Sequence, residues 1–172
     1  MYYLRKSRAD EVEQLMIIFD AAKAHLKSLG IDQWQQGYPN SDGLLEDIRK
    51  GEGYVLIYEN EIAAVGAISG GTDPDYTNID GQWLPQSNHE KYVVVHRTVV
   101  ADKFRGRNLS TILFSGLITL AVEKGYKDIR ADTHPANKTM QHILNKLGFA
   151  HRGFITQQTS QKVLPAYQFI VA

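Results

Sequence analysis

The run YVVVHRTVV at residues 92–100 is the sequence feature that most constrains the fold. β-Branched residues dominate it and do not alternate with polar ones, which predicts a strand that is buried on both faces. Such a strand needs helices on both sides of its sheet. After the polar turn ADKFRGRN, leucines 113, 117 and 120 recur at helical spacing, and this helix is predicted to end at Gly125. The segment KDIRADT then predicts a second strand, so the sheet contains a strand–helix–strand crossover.

Shorter patterns on either side complete the predicted architecture. They predict a strand at YYLRK and then a helix from a Ser7–Asp10 capping box to about Gly30, whose inward residues are Leu15, Ile18, Phe19, Ala22, Leu26 and Leu29. A short helix ending near Gly51 follows, and then a hairpin of YVLIY and EIAAVGAIS across Glu59 and Asn60. Near the C-terminus they predict a helix that ends at Gly148 and two last strands at 150–157 and 163–172. Residues 70–91 carry turn formers throughout and are predicted to be a long loop. The order β-α-α-β-β-β-α-β-α-β-β predicts an α+β fold whose mixed, mostly antiparallel central sheet has helices on both faces.

Composition narrows the classes of function. The 172 residues predict a single domain, residues 1–172, and the 19 basic and 19 acidic side chains give no net field to attract nucleic acid or a membrane. The chain has no cysteine, which excludes thiol catalysis and thiolate–metal sites. Its six histidines are scattered without ligand spacing, so no metal site is predicted. The charged N-terminus and the lack of a long apolar run favour a cytoplasmic protein.

The turn KFRGRNLST combines three features of an anion-binding site. The first amides of a helix have no partner within the helix and carry partial positive charge. Gly106 allows close approach of a ligand, while Arg105 and Arg107 add full charges beside it. Together they predict a cradle for phosphate or diphosphate. The alternative, a basic surface loop beside a helix, fits these residues equally well, and the turn matches neither a Walker loop nor a Rossmann fingerprint.

A longer stretch around this turn resembles a known family. VVADKFRGRNLSTILF is similar to the acyl-CoA-binding motif of the Gcn5-related N-acetyltransferases (GNAT), with Arg105, Asn108 and Ser110 at the marked positions. PANKTMQHILNKLGFAHRGFI resembles the closing motif of that family. The likeness extends over about residues 92–157. Asn108 and Ser110 replace two customary small residues, but asparagine tolerates left-handed backbone angles and serine is small, so we expect diphosphate binding to persist.

The resemblance implies an acyl-CoA N-acyltransferase fold and an enzyme that uses acetyl-CoA to acetylate an amine of a small molecule or peptide. It assigns the pantetheine chain to Thr98, Val99 and Val100, and a further contact with the donor to Asn137. It assigns the diphosphate to the amides of Arg105, Gly106, Arg107, Asn108, Leu109, Ser110 and Thr111. Many relatives protonate the leaving thiolate with a tyrosine, but Leu144 stands at that position here, which leaves water, His142 or Tyr167 as the acid.

Three residues are candidates for the general base. Asp132 ends the strand DIRADT, where some relatives that acetylate peptide N-termini carry a catalytic glutamate; its alternative role is to cap the next turn. His96 interrupts an apolar strand and His134 follows the next one. Histidine has a suitable pKa for proton transfer, although both are also consistent with hydrogen-bonded structural roles.

The same likeness places the amine acceptor near the first two helices and the long loop. Trp34, Tyr38 and Trp83 are predicted to form an aromatic wall, and Glu90 to pair with a cationic amine. The alternative for both tryptophans is coverage of the core edge. The sequence does not name the acceptor and leaves open whether two copies associate as a homodimer.

Two other functions compete with catalysis. Leu144 is also consistent with a CoA-binding sensor or partner subunit that has lost activity. Binding of nucleic acid through Arg105 and Arg107 is disfavoured, because two arginines on a neutral chain release few counterions.

Overall fold

The structure of the protein is a computed structural model that describes residues 1–84 and 91–172. The strands are β1 (Tyr2–Lys6), β2 (Gly53–Tyr58), β3 (Glu61–Gly70), β4 (Asp80–Gly81), β5 (Tyr92–Val100), β6 (Asp128–Asp132), β7 (Ala150–Thr156) and β8 (Val163–Ile170). The helices are α1 (Val12–Ser28), α2 (Ser41–Lys50), α3 (Leu109–Glu123) and α4 (Lys138–Lys146). The predicted fold class is confirmed, because β5 and β6 run parallel and the other strand pairs with a described register are antiparallel.

The chain forms two compact units. The first contains residues 1–67 and 97–117, and the second contains residues 68–96 and 118–172. Among the described residues, no helix is both long and apolar enough to cross a membrane.

The first unit contains β1, β2 and β3 as neighbouring strands. The predicted hairpin between β2 and β3 is confirmed, with Glu59 and Asn60 at φ 51° and 64°. α1 buries Val12 and four residues of the predicted stripe, namely Leu15, Ile18, Phe19 and Ala22. Leu29 is 59% exposed, contrary to prediction, because α1 ends at Ser28.

The predicted capping box at the start of α1 is wrong. The Glu11 carboxylate accepts a hydrogen bond from the Arg8 amide at 3.0 Å and binds the Arg5 guanidinium at 2.5 Å. A 3-10 turn at Ala9–Glu11 therefore precedes α1, and the box begins at Arg8 instead of Ser7. At the other junction, α2 ends as predicted at Gly51, which has φ 69°.

The second unit orders its strands β5-β6-β8-β7-β4. The predicted loop 70–91 contains more structure than expected, with a 3-10 turn at Pro74–Tyr76 and the short strand β4. β4 approaches β7 so closely that a Cβ on Gly81 would lie 2.2 Å from the Arg152 carbonyl oxygen. Tyr76 belongs to the apolar core of this unit, which also contains Tyr92, Val94, Ile155, Leu164 and Ala166.

Burial along β5 changes at its middle. Tyr92 to Val95 are buried consecutively, as predicted for a strand covered on both faces. His96, Arg97 and Thr98 are only half-buried, so the prediction holds for the first part of the strand. The parallel pairing with β6 also stops early, at Val94 and Arg130. The last residues of β6 thus lie beyond the last β5–β6 pair.

Candidate active site

The turn between β5 and α3 has the backbone geometry of an anion cradle. A 3-10 turn at Asp102–Phe104 leads to Gly106 at φ 77° and Asn108 at φ 59°. Asn108 thus adopts the left-handed conformation expected of asparagine. A Cβ on Gly106 would have no atom within 4 Å, so the space beside it is open to a ligand. Alternating backbone conformations of this kind turn successive N–H groups towards one side.

The amide donors of the turn are fewer than predicted. The first bond of α3 runs from the Ile112 amide to the Asn108 carbonyl at 3.4 Å. The amides of Leu109, Ser110 and Thr111 precede that bond and so have no i−4 partner within the helix. The Arg105 amide instead donates to the Asp102 carbonyl at 3.2 Å, which removes it from the predicted set.

The two arginines of the turn differ in their surroundings. Arg105 forms an ion pair with Asp102 at 2.5 Å, which offsets its charge. Arg107 is exposed and lies 5.7 Å from the ring centroids of both Tyr58 and Phe104. Aromatic faces attract a guanidinium without neutralising it. Arg107 is therefore the better placed of the two to attract a diphosphate.

The strand before the cradle contains a strained residue. Arg97 has φ 50° within β5, a conformation that non-glycine residues rarely adopt in a strand. Its guanidinium donates to both carboxylate oxygens of Asp47, at 2.5 and 2.7 Å, and to the Tyr38 hydroxyl at 2.6 Å. Burial raises the pKa of Asp47, and the Arg97 charge opposes that rise. These contacts fix Arg97 directly before Thr98, Val99 and Val100, the residues predicted to bind pantetheine.

Two residues of the predicted aromatic wall, Trp34 and Tyr38, have different surroundings. Trp34 packs edge-on against Phe19 of α1 at 5.6 Å, which is a core contact. Tyr38 is 38% exposed and is bound to Arg97, so it is available at the surface of the first unit. A small cavity beside Arg97 and Asp47 has a volume of about 10 Å³, enough for about one water molecule and too small for an acceptor.

Asp132 is the candidate base with the most distinctive environment. It is the last residue of β6, and its Oδ2 accepts a hydrogen bond of 2.7 Å from the Tyr76 hydroxyl. Burial raises the pKa of Asp132 from 3.8 to about 6; the Tyr76 hydrogen bond lowers it, and Asp73 and Asp75 raise it. The alternative role as a cap is not seen in the described part of the chain, where its hydrogen-bond donor is Tyr76.

Aromatic contacts hold Tyr76 in place. Its ring stacks on Trp83 with centroids 5.5 Å apart, and the Trp83 indole donates to the Tyr76 carbonyl at 3.2 Å. Arg130 lies 4.2 Å from the Trp83 ring and 3.9 Å from the Tyr92 ring, and pairs with Asp128 at 2.8 Å. Trp83 therefore supports Tyr76 and Arg130. Sequence reasoning missed both of these partners, because Tyr76 lies in an aperiodic loop and the sequence around Arg130 predicts a strand but not which distant rings the side chain contacts.

The remaining predicted residues have mostly structural contacts. His134 Nδ1 accepts from the Ala136 amide at 3.1 Å, and Asn137 caps α4 by accepting from the Met140 amide at 3.0 Å. Leu144, at the position of the missing tyrosine, is fully buried. His96 is half-buried in β5, just after the last β5–β6 pair. The predicted role of Glu90 lies outside the described residues.

Among the described residues, no group of three or more histidine, aspartate or glutamate side chains lies close enough together to hold a metal ion.

Comparisons with known proteins agree with this architecture. The family model described as the acetyltransferase (GNAT) family matches residues 19–149. A GNAT-family acetyltransferase structure from Streptococcus agalactiae is 35% identical, with a TM-score of 0.88, and the match covers 99% of this chain and 96% of that one. No curated protein matches the sequence.

Two more distant structures share the fold alone. A GNAT-family acetyltransferase from Listeria monocytogenes is 19% identical with a TM-score of 0.76, and covers 99% of this chain and 95% of its own. Ard1 from Thermoplasma volcanium is 13% identical with a TM-score of 0.70, and the match covers 99% of this chain and 98% of that one. The family model spans well over half of the sequence, so the chain belongs to the GNAT acetyltransferase family.

Proposed function

We propose that this protein is an acetyl-CoA-dependent N-acetyltransferase that acetylates a primary amine of a small molecule or peptide. The observation that carries the proposal is the turn before α3, where Gly106 and Asn108 both have left-handed backbone angles and the space beside Gly106 is open. Family membership supports acetyl transfer in general, and this turn supports a nucleotide-bearing donor.

The residues of the turn fit a diphosphate. Gly106, the amides at the start of α3 and the exposed Arg107 combine close approach, hydrogen-bond donors and a full positive charge. Thr98 and Val100 at the end of β5 offer half-buried strand backbone for a pantetheine chain. The donor supplies a thioester, whose carbonyl carbon is the electrophile.

Proton transfer is assigned to Asp132. The acceptor amine must lose a proton as its nitrogen bonds to the acetyl carbon and the carbon–sulfur bond breaks. With a pKa of about 6, Asp132 is ionised at neutral pH yet holds a proton more strongly than an ordinary aspartate. Leu144 is buried and has no proton to give, so the thiolate takes its proton from water or from another side chain such as His142 or Tyr167. Burial raises the pKa of Tyr167, which makes it a weaker acid than an exposed tyrosine.

The cradle is tested by a charge introduced at Gly106. A glutamate there would place a carboxylate against the bound diphosphate, and we expect calorimetry to detect no binding of acetyl-CoA to Gly106→Glu. Gly71→Glu is the matched control, because Gly71 also has a positive φ and open surroundings. Equal affinity of Gly106→Glu and wild type would refute the cradle.

Catalysis is tested separately from binding. Thiol release from acetyl-CoA is measured against a panel of polyamines, amino acid derivatives, aminoglycosides and peptides with free N-termini. Turnover with any of these amines supports the enzyme. Tight acetyl-CoA binding with no turnover on the whole panel would instead favour the CoA-binding sensor.

A further inference from the structure

The Tyr76 hydroxyl is held in a fixed position. The residue is 3% exposed, its ring is stacked on Trp83, and its carbonyl oxygen accepts from the Trp83 indole. The hydroxyl itself donates to Asp132 Oδ2 at 2.7 Å. A buried tyrosine with one fixed acceptor contributes a directed hydrogen bond as well as apolar packing.

The carboxylate of Asp132 has one oxygen that can accept a proton from a substrate. It pairs through its backbone with Ala166 of β8, whereas the β5–β6 pairing has already ended at Arg130. In the part of the chain that the structure describes, Tyr76 donates to Oδ2 and no side chain or amide donates to Oδ1. The carboxylate is thus anchored through one oxygen.

We propose that Tyr76 is a positioning residue, which holds Asp132 through Oδ2 so that Oδ1 receives the proton of the attacking amine. This rests on the proposed acetyl transfer. The amine N–H bond breaks, its proton moves to Oδ1, the new C–N bond forms, and the C–S electron pair leaves on the thiolate, which is then protonated. Tyr76 donates to Oδ2 throughout and does not exchange its own proton with substrate.

The charges around Asp132 determine what the hydroxyl does to its proton affinity. Burial is the largest effect and raises the pKa of Asp132, while the Tyr76 hydrogen bond lowers it. Asp73 and Asp75, on the segment that carries Tyr76, raise it further. The same face of β6 carries the mutually paired Asp128 and Arg130, β5 contributes Tyr92, and β8 places Ala166 opposite. Removal of the hydroxyl therefore raises the pKa of Asp132.

The experiment uses Tyr76→Phe, with Tyr92→Phe as the matched control. Phenylalanine keeps the ring that stacks on Trp83 and removes only the hydroxyl. Tyr92 belongs to the same core, but its hydroxyl contacts the backbone of Asp73 and not Asp132. The Asp132 carboxyl is titrated by carbon NMR of protein labelled at aspartate, with Asp132→Asn to assign its signal. The acid limb of kcat/KM is measured with the best amine of the panel.

We expect Tyr76→Phe to move the Asp132 titration midpoint and the acid limb of kcat/KM upward together by about one pH unit. Near pH 6 this lowers kcat/KM by about fivefold, and by about tenfold well below pH 6, with a much smaller loss at alkaline pH. Tyr92→Phe should leave both midpoints in place. Asp73→Asn should move them downward, because it removes a neighbouring negative charge. If Tyr76→Phe does not fold, this variant still tests whether the rate profile follows the titration of Asp132: midpoints that do not move together would overturn its role as the base.

Three results would overturn the proposal, and they are distinguishable. An unchanged titration midpoint in Tyr76→Phe refutes the hydrogen bond to Asp132. A shifted titration with an unshifted rate profile shows that Asp132 does not take the reaction's proton. Absence of turnover on every amine refutes the proposed function, and the catalytic role of Tyr76 with it, while the NMR titration still decides the contact.

Discussion

Replacing Asp132 by asparagine should make the protein more stable at neutral pH. Asparagine keeps an oxygen that accepts from Tyr76 but carries no charge. In the folded chain the pKa of Asp132 is about 6, against an ordinary value of 3.8. The folded state therefore binds this proton more tightly than the unfolded state, and stability falls as pH rises through that interval. The asparagine variant does not suffer this loss.

The size of the effect follows from the same two values. Each tenfold difference in proton affinity is worth about 1.4 kcal/mol, so the wild type loses at most about 3 kcal/mol between roughly pH 4 and pH 6, and less to the extent that solvent screens the half-buried Asp132. For a chain of this length, that corresponds to roughly 6–12 °C in Tm. The Tm of the variant minus the Tm of the wild type should therefore be larger at pH 8 than at pH 4 by that amount.

The control is Asp80→Asn, which removes an exposed carboxylate from the same unit. It should unfold in parallel with the wild type at both pH values. If Asp132→Asn shows the same difference from wild type at pH 4 and pH 8, the Asp132 carboxylate is not destabilised by burial, and the argument for a raised pKa fails. A stability gain accompanied by lost turnover is what a catalytic carboxylate should give.

The remaining predictions concern stability. Asp47→Asn leaves the half-buried Arg97 guanidinium without its counter-charge and should cost about 1–3 kcal/mol in urea unfolding. Glu46→Gln changes an exposed ion pair on the same helix and should leave the unfolding curve almost unchanged; equal losses would refute the role of burial. Gly116→Ala should lower the Tm, because its Cβ would lie 1.8 Å from a Leu4 methyl carbon and the Leu4 side chain would have to move; a Tm above that of the wild type would contradict that packing. Gly106→Ala has no such clash and should cost only about 1 kcal/mol through its positive φ, so a much larger loss would mean that the turn is packed and not open.

The sequence predicted elements whose causes are local. The β-branched run of β5, the leucine spacing of α3 and the glycine that ends α2 each depend on neighbouring residues, and the structure has them. Asn108 adopts a left-handed angle, which is consistent with the tolerance of asparagine for such angles noted from the sequence. The capping box failed for a related reason. Ser7 and Arg8 both precede α1, and the Glu11 carboxylate, which pairs with Arg5, accepts from the amide of Arg8, so that Arg8 is the N-cap residue.

Contacts between distant residues could not be predicted in this way. Tyr76 and Asp132 are 56 positions apart, and Arg97 and Asp47 are 50 apart. No periodic pattern connects such residues, because each partner is brought in by a different strand or turn. The resemblance to the family implied that Asp132 is a candidate base, because some relatives carry a catalytic glutamate there, while the hydroxyl that holds it was found only in the structure.

The two tryptophans of the chain lie in different compact units. Trp34 contacts Phe19 in the first unit, and Trp83 contacts Tyr76 and the Arg130 guanidinium in the second. Each unit thus carries one intrinsic fluorophore with its own quenching environment. The Trp34→Phe protein keeps only Trp83, so its fluorescence reports unfolding of the second unit, and the Trp83→Phe protein likewise reports unfolding of the first. If the two fluorescence transitions coincide, both units unfold in one cooperative step.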